Sequence, residues 1–159
     1  MKDYKNSVLL GIAAAKKAAD NKEEIKSVVK ELNSQIKEVS DKKATFGIIS
    51  LYRKTDIPAI DAFFNIAQRM STKKTDQYFA ICIFDHEGKN GIEIAEWLQD
   101  DAGYPCTIQY NGQRFFCSNK AELEESFSKL LKEVKAGEAI LDQISRYDNQ
   151  VKPSHEEPI

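Results

Sequence analysis

The chain has 159 residues, of which 42% are hydrophobic and 30% charged, with seven glycines and four prolines. That balance excludes a disordered, collagenous or membrane-embedded class and allows one core with an appendage. Lys and Arg number 23 against 25 Asp and Glu, a formal net charge of −2, which disfavours a generic nucleic-acid binder.

Charge is spread unevenly: residues 1–43 hold ten basic and seven acidic residues, a net of +3, whereas residues 44–159 hold 13 and 18, a net of −5. A solvated helix face accounts for this as well as a phosphate-binding arm does. The apolar stretch Val8, Leu9, Leu10, Gly11, Ile12 is short and soon meets Lys16 and Lys17, so neither a signal peptide nor a membrane span is expected. Cys82, Cys106 and Cys117 are odd in number and lie in or beside apolar runs, the pattern of buried thiols in a reducing cytoplasm.

Residues 5–40 contain no proline, and Ile25, Val29, Leu32, Ile36 and Val39 alternate steps of four and three, the inner seam of a heptad. The register extends back through Lys22, Ala18, Ala15 and Gly11 to Val8. Asp20 and Glu23 have the spacing of a capping box, so one long helix or two joined near Asp20 both fit. These residues predict a coiled-coil-like arm over 1–43 whose stripe grips a protein partner or a second copy; the competing reading is a helix packed on its own domain.

At Lys43 the period changes. Residues 44–52 are rich in β-branched and aromatic side chains and predict a first strand. A helix is expected over 57–70, with Asp56 to cap it and Pro58 in its first turn. Residues 78–84 form a continuous apolar run, expected as a central strand covered on both faces. Gly88-Lys89-Asn90-Gly91 predicts a loop, and Ile94, Ala95 and Leu98 predict a short helix ending near Gly103, with Trp97 beside its inward stripe. Cys106 to Tyr110 and Gln113 to Cys117 flank Asn111-Gly112, a strong hairpin signal because both residues tolerate positive φ. A last helix carries Leu123, Phe127, Leu130, Leu131 and Val134, with Gly137 as a break, and residues 148–159 read as a frayed tail. The expected division is therefore 1–43 arm, 44–147 α/β domain and 148–159 tail.

From residue 44 the expected order is β-α-β-α-β-β-α in a small mixed sheet, the first strands parallel and the last pair antiparallel. With Gly103-Tyr104-Pro105-Cys106 leading into the Asn111-Gly112 hairpin, this order resembles the thioredoxin and glutaredoxin family over residues 44–135. The resemblance implies a cis bond at Pro105 and a cleft in which Thr55, Asp56 and Pro58 face Tyr104, Pro105 and Cys106. It also implies a redox-inactive member, since the loop at 53–58 has no cysteine where the family carries C-x-x-C or C-x-x-S.

Asp85, His86, Glu87 and Lys89 form the densest titratable cluster and follow the central strand, where open α/β sheets place ligands. Asp85 and Glu87 have the hard oxygens for a metal-dependent phosphodiester hydrolase, against the simpler reading of a solvated loop. Gly88 to Gly91 could cradle an anion but lacks the full phosphate-loop pattern. His86 and His155 are the only histidines, too few for a two-histidine zinc site. Cys106 is the single thiol placed to act as a nucleophile, with burial as the alternative. No cofactor, metal or membrane contact is expected. The leading reading is a non-catalytic cytoplasmic interaction or inhibitor protein, of the kind that accompanies defence or mobile-element systems.

Overall fold

A computed structural model describes residues 1–53 and 76–151. Along these, the elements run α1 (Lys5–Val39), β1 (Ala44–Tyr52), β2 (Gln77–Asp85), β3 (Ile92–Asp100), β4 (Gly103–Tyr110), β5 (Gln113–Cys117), α2 (Lys120–Leu131) and α3 (Val134–Val151). The helix expected over 57–70 lies outside the described residues.

α1 is one uninterrupted helix of 35 residues, so Asp20 does not begin a second one. Its first half is rich in alanine, the strongest helix former. It stops at Ser40, whose Oγ accepts from Ala44 N at 3.0 Å, and Asp41 and Lys42 turn the chain with φ of 55° and 62°.

The five strands form one sheet in the order β1-β2-β3-β4-β5, and every neighbouring pair is antiparallel. This corrects the expected β-α-β-α-β-β-α order and with it the parallel first pair: Phe46 lies opposite Ile83 and Ile48 opposite Ile81 in an antiparallel register. The helix expected at Ile94, Ala95 and Leu98 is strand β3. Its register shifts beside Ile81 and Cys82, and this bulge leaves the adjacent Ile94 and Ala95 both buried. A strand with a bulge thereby acquires consecutive apolar positions that imitate one face of a helix. The Asn111-Gly112 turn is as expected, both residues at positive φ between β4 and β5.

One face of the sheet carries Ala44, Phe46, Ile81, Ile83, Ala95, Trp97, Cys106, Ile108 and Cys117. These join Ile25, Val28 and Ile36 of α1, Leu123, Phe127 and Leu130 of α2, and Ala136 and Ala139 of α3 in a single core cluster. The ring of Phe127 stacks on Trp97 at 5.9 Å and meets the edge of Phe46 at 5.6 Å. α2 is started by Asn119, whose side chain accepts from Glu122 N at 2.9 Å, while the Glu122 carboxylate accepts from Ser118 N. The helix break falls after Leu131; Gly137 lies inside α3, and residues 148–151 continue that helix rather than fraying.

The boundary at residue 44 therefore divides sequence periods and not cores. Asn33 of α1 accepts from Phe46 N at 2.8 Å, Asn21 donates to Ala102 O at 3.0 Å, and Tyr104 Oη donates to Glu24 Oε1 at 2.8 Å. A chain lacking residues 1–43 is expected to be insoluble or molten, with broad amide resonances and no cooperative thermal transition. The milder Ile36→Ala is expected to lower stability by about 2–5 kcal/mol in urea unfolding, the usual cost of emptying a buried aliphatic site.

Candidate functional site

Beyond Asn21, α1 leaves the sheet. Residues 5–19 have no long-range hydrogen bond among the described residues, and Val8, Leu9, Leu10 and Ile12 are 48 to 65% exposed. The helix is apolar on all sides here, for Val8, Leu9, Leu10, Ile12, Ala13, Ala14 and Ala15 point in every direction around its axis. A water-facing helix normally keeps a polar face. The departure begins where Gly103 packs against the helix: it has φ of +91°, and a Cβ there would come within 2.7 Å of Asn21 Cβ, so only glycine lets β4 approach so closely.

Next to this departure is an apolar groove of about 640 Å³ between α1 and the end of the sheet. Lys22, Ile25, Lys26 and Val29 form its helical wall, and Ile48, Phe79, Trp97 and Leu98 its floor and far side, with Asp100 and Asp101 on the rim. Phe79 and Leu98 are about half exposed. Positions 22, 25, 26 and 29 lie on the helical face that continues through Ala18, Ala15 and Gly11 to Val8. Arm and groove thus share one side of one helix.

The stripe expected to hold a partner divides between two environments. Ile25 and Ile36 are buried in the chain's own core with Val29 and Leu32 packed against it, so these four are taken up intramolecularly, whereas Val39 is 86% exposed. The competing reading of a helix packed on its own domain holds for this stretch because the same seven-residue spacing serves a sheet as well as a second helix. The exposed apolar surface is instead Val8, Leu9, Leu10 and Ile12. The available signal was a run of large apolar residues without a polar face.

Of the expected cleft, Thr55, Asp56 and Pro58 lie outside the described residues. The Tyr104–Pro105 bond is cis, as the resemblance implied, but Tyr104 is tied to Glu24 of α1 and Cys106 is fully buried. Cys106 Sγ donates to Gly103 O at 3.4 Å. Burial, with Cys117 close by, pushes its thiol up to about 12, and burial with Glu93 nearby pushes Cys82 to about 11. Burial of this kind favours the protonated, unreactive form of a thiol.

Asp85 is also committed to structure. Its Oδ1 accepts from Glu87 N at 3.0 Å and Lys89 N at 2.9 Å, and its Oδ2 from Asn90 Nδ2 at 2.7 Å. Burial raises its carboxyl, but the hydrogen bonds from Asn90, Lys89 and Glu87 outweigh that and hold it below the usual value. Glu87 points to solvent, 3.8 Å from Lys89 Nζ. The two carboxylates do not converge, and among the described residues no group of three or more His, Cys, Asp or Glu side chains could hold a metal ion. Asp85 closes the loop that joins β2 to β3. Gln143 of α3 holds the same loop from inside, donating to Ile83 O at 3.1 Å and Asn90 O at 2.7 Å.

Across the sheet, on the face away from the core cluster, Arg53 chelates Glu96 with bonds of 3.1 and 3.2 Å and lies over the Tyr78 ring, and Tyr78 Oη donates to Glu93. Sequence spacing cannot disclose this set, because its members come from three separate segments.

No helix among the described residues is long and apolar enough to cross a membrane. No protein-family model, curated protein or solved structure matches the chain.

Two expectations follow from the site chemistry. A folded thiol that keeps its proton to higher pH than an unfolded one, which titrates near 8.5, makes unfolding release protons in alkali. Stability should therefore be flat with respect to the thiols below about pH 8.5 and decline above it, while iodoacetamide at pH 8 leaves all three cysteines of the native chain unmodified by mass spectrometry. For Asp85 the sign is reversed. Its contribution is complete above about pH 3.9 and is lost as the pH falls through the lower folded value, and Asp85→Ala should cost about 1–3 kcal/mol in urea unfolding by orphaning its donors.

Proposed function

We propose that this chain is a non-catalytic interaction protein, of the binding or inhibitor kind, whose working surface is the exposed half of α1 over residues 5–19. The observation that carries the reading is the exposure of Val8, Leu9, Leu10 and Ile12 on an otherwise regular helix. Fully burying a side chain of that size is worth about 1.5–3 kcal/mol, so four together supply a strong drive for association. The α/β body is the anchor that fixes where the arm starts and points.

This reading does not depend on a thioredoxin-like order of elements. It rests on the arm, and on a body whose thiols are buried and whose Asp85 is spent on the loop that follows it. Three free cysteines also suit a reducing compartment such as the cytoplasm.

The test compares the full chain with a Val8→Asp, Ile12→Asp variant after chemical cross-linking in cells that make the protein. The parent chain should be cross-linked to itself or to another protein, and the variant, with an unchanged circular dichroism spectrum, should lose that product at least tenfold. Equal cross-linking by both would overturn the arm as the working surface.

A further inference from the structure

We infer that Cys106 and Cys117 are a redox pair: exchange with a small-molecule disulfide joins them in a reversible cross-strand bond that clasps β5 to β4. The inference is independent of the arm and uses only the hairpin at the edge of the sheet.

The first argument is register. Cys106 and Cys117 are direct partners in the antiparallel ladder of β4 and β5, so their side chains leave the sheet on the same face. Both are fully buried in the core cluster, and Cys117 is near enough to Cys106 to push its thiol up. Tyr110 and Gln113, which flank the two-residue turn, are a pair of the hydrogen-bonded kind, and alternation makes Ile108 with Phe115 and Cys106 with Cys117 the same. Such partners have Cα atoms about 5.5 Å apart, inside the roughly 4.4–6.8 Å that a disulfide spans.

The second argument is exclusion. Cys82 follows Ile81 and precedes Ile83 on β2, and since both isoleucines enter the core, Cys82 points to the other face. It is also two strand spacings, about 10 Å, from β4. Of the three cysteines, only Cys106 and Cys117 can be joined without rearranging the sheet.

The third argument is lability. Both thiols are free and bonded elsewhere, Cys106 to Gly103 O at 3.4 Å and Cys117 to Ser126 Oγ of α2 at 3.3 Å. Directly opposite residues hold their Cβ atoms about 4.5–5.5 Å apart, whereas a disulfide draws them to about 3.5–4.5 Å. The bond therefore pulls the strands together and gives up both existing contacts, which leaves it strained and easily reduced.

Because the sulfurs are buried, exchange begins when β5, an edge strand of five residues, opens locally. The Cys117 thiolate attacks the small disulfide and expels one of its halves as a thiolate. Once the hairpin closes, the Cys106 thiolate attacks Cys117 Sγ and expels the other half. Two protein thiols lose two protons and two electrons, and the small disulfide becomes two thiols.

The test refolds the purified full chain from urea in oxidised glutathione, so that burial sets no limit on access. Recovery of the native circular dichroism spectrum is checked, and the bonds are mapped by non-reducing peptide mass spectrometry after acid quenching. The parent chain should give the Cys106–Cys117 bond at least tenfold above any bond that involves Cys82. Cys82→Ser should give it equally, and Cys117→Ser should give none above the parent's Cys82 background. Excess reduced glutathione, added to the folded oxidised chain without denaturant, should then lower the bonded fraction at least tenfold. Bonds to Cys82 in comparable yield, three free thiols, or glutathione left on Cys106 or Cys117 with no bond between them would overturn the inference. So would an oxidised chain that reduced glutathione does not reopen.

Discussion

The body is held by the apolar contact between residues 21–39 of α1 and the face of the sheet that carries Phe46, Ile81, Trp97 and Ile108. Ile25, Val28 and Ile36 enter that face from a helix that crosses from the start of β4 to the start of β1, and three polar ties at Asn21, Glu24 and Asn33 hold its angle. Burial supplies most of the free energy and the hydrogen bonds supply the direction, since a solvent-exchanged hydrogen bond contributes only about 1 kcal/mol net. Because the helix is continuous, its angle on the sheet also aims the half that has left the body.

A helix that serves as core along one half and as surface along the other is chemically uneven. Between Asn21 and Val39 its exposed side carries Lys26, Lys30, Glu31 and Lys37 while its inner side is apolar. Between Val8 and Ala15 the distinction disappears, and glycine, alanine and large aliphatics occupy the whole circumference. A helix of that kind is at home where it is surrounded.

Much of the body could be read from the residues. The strands at 44–52 and 78–84, the Asn111-Gly112 hairpin, the helix capped at Asn119 and the burial of the three cysteines all follow from local patterns, and local patterns persist when they agree with the packing around them. The misreadings have particular causes. Ile94 and Ala95 sit at a bulge, which gives a strand the spacing of a helix. A helix at β3 would make its neighbours a parallel crossover, and the family resemblance depends on that order. The heptad stripe at 25–39 is legible as apolar, but nothing in a seven-residue repeat states whether its partner is a helix or a sheet. The groove was not legible, because its walls come from α1, β1, β2 and β3.

The order of the sheet has a consequence for the newborn chain. Strands β2, β3 and β4 each pair with the strand that follows, so most of the sheet can form by short-range zipping as it is made, the quick kind of topology. α1 precedes all of it, and the residues its inner side needs, Trp97 and Ile108 among them, come some 60 to 80 positions later. Until they are synthesised, the stripe of Ile25, Val29, Leu32 and Ile36 has no sheet to cover it. The completed sheet then claims residues 25–36 of the helix for its own core.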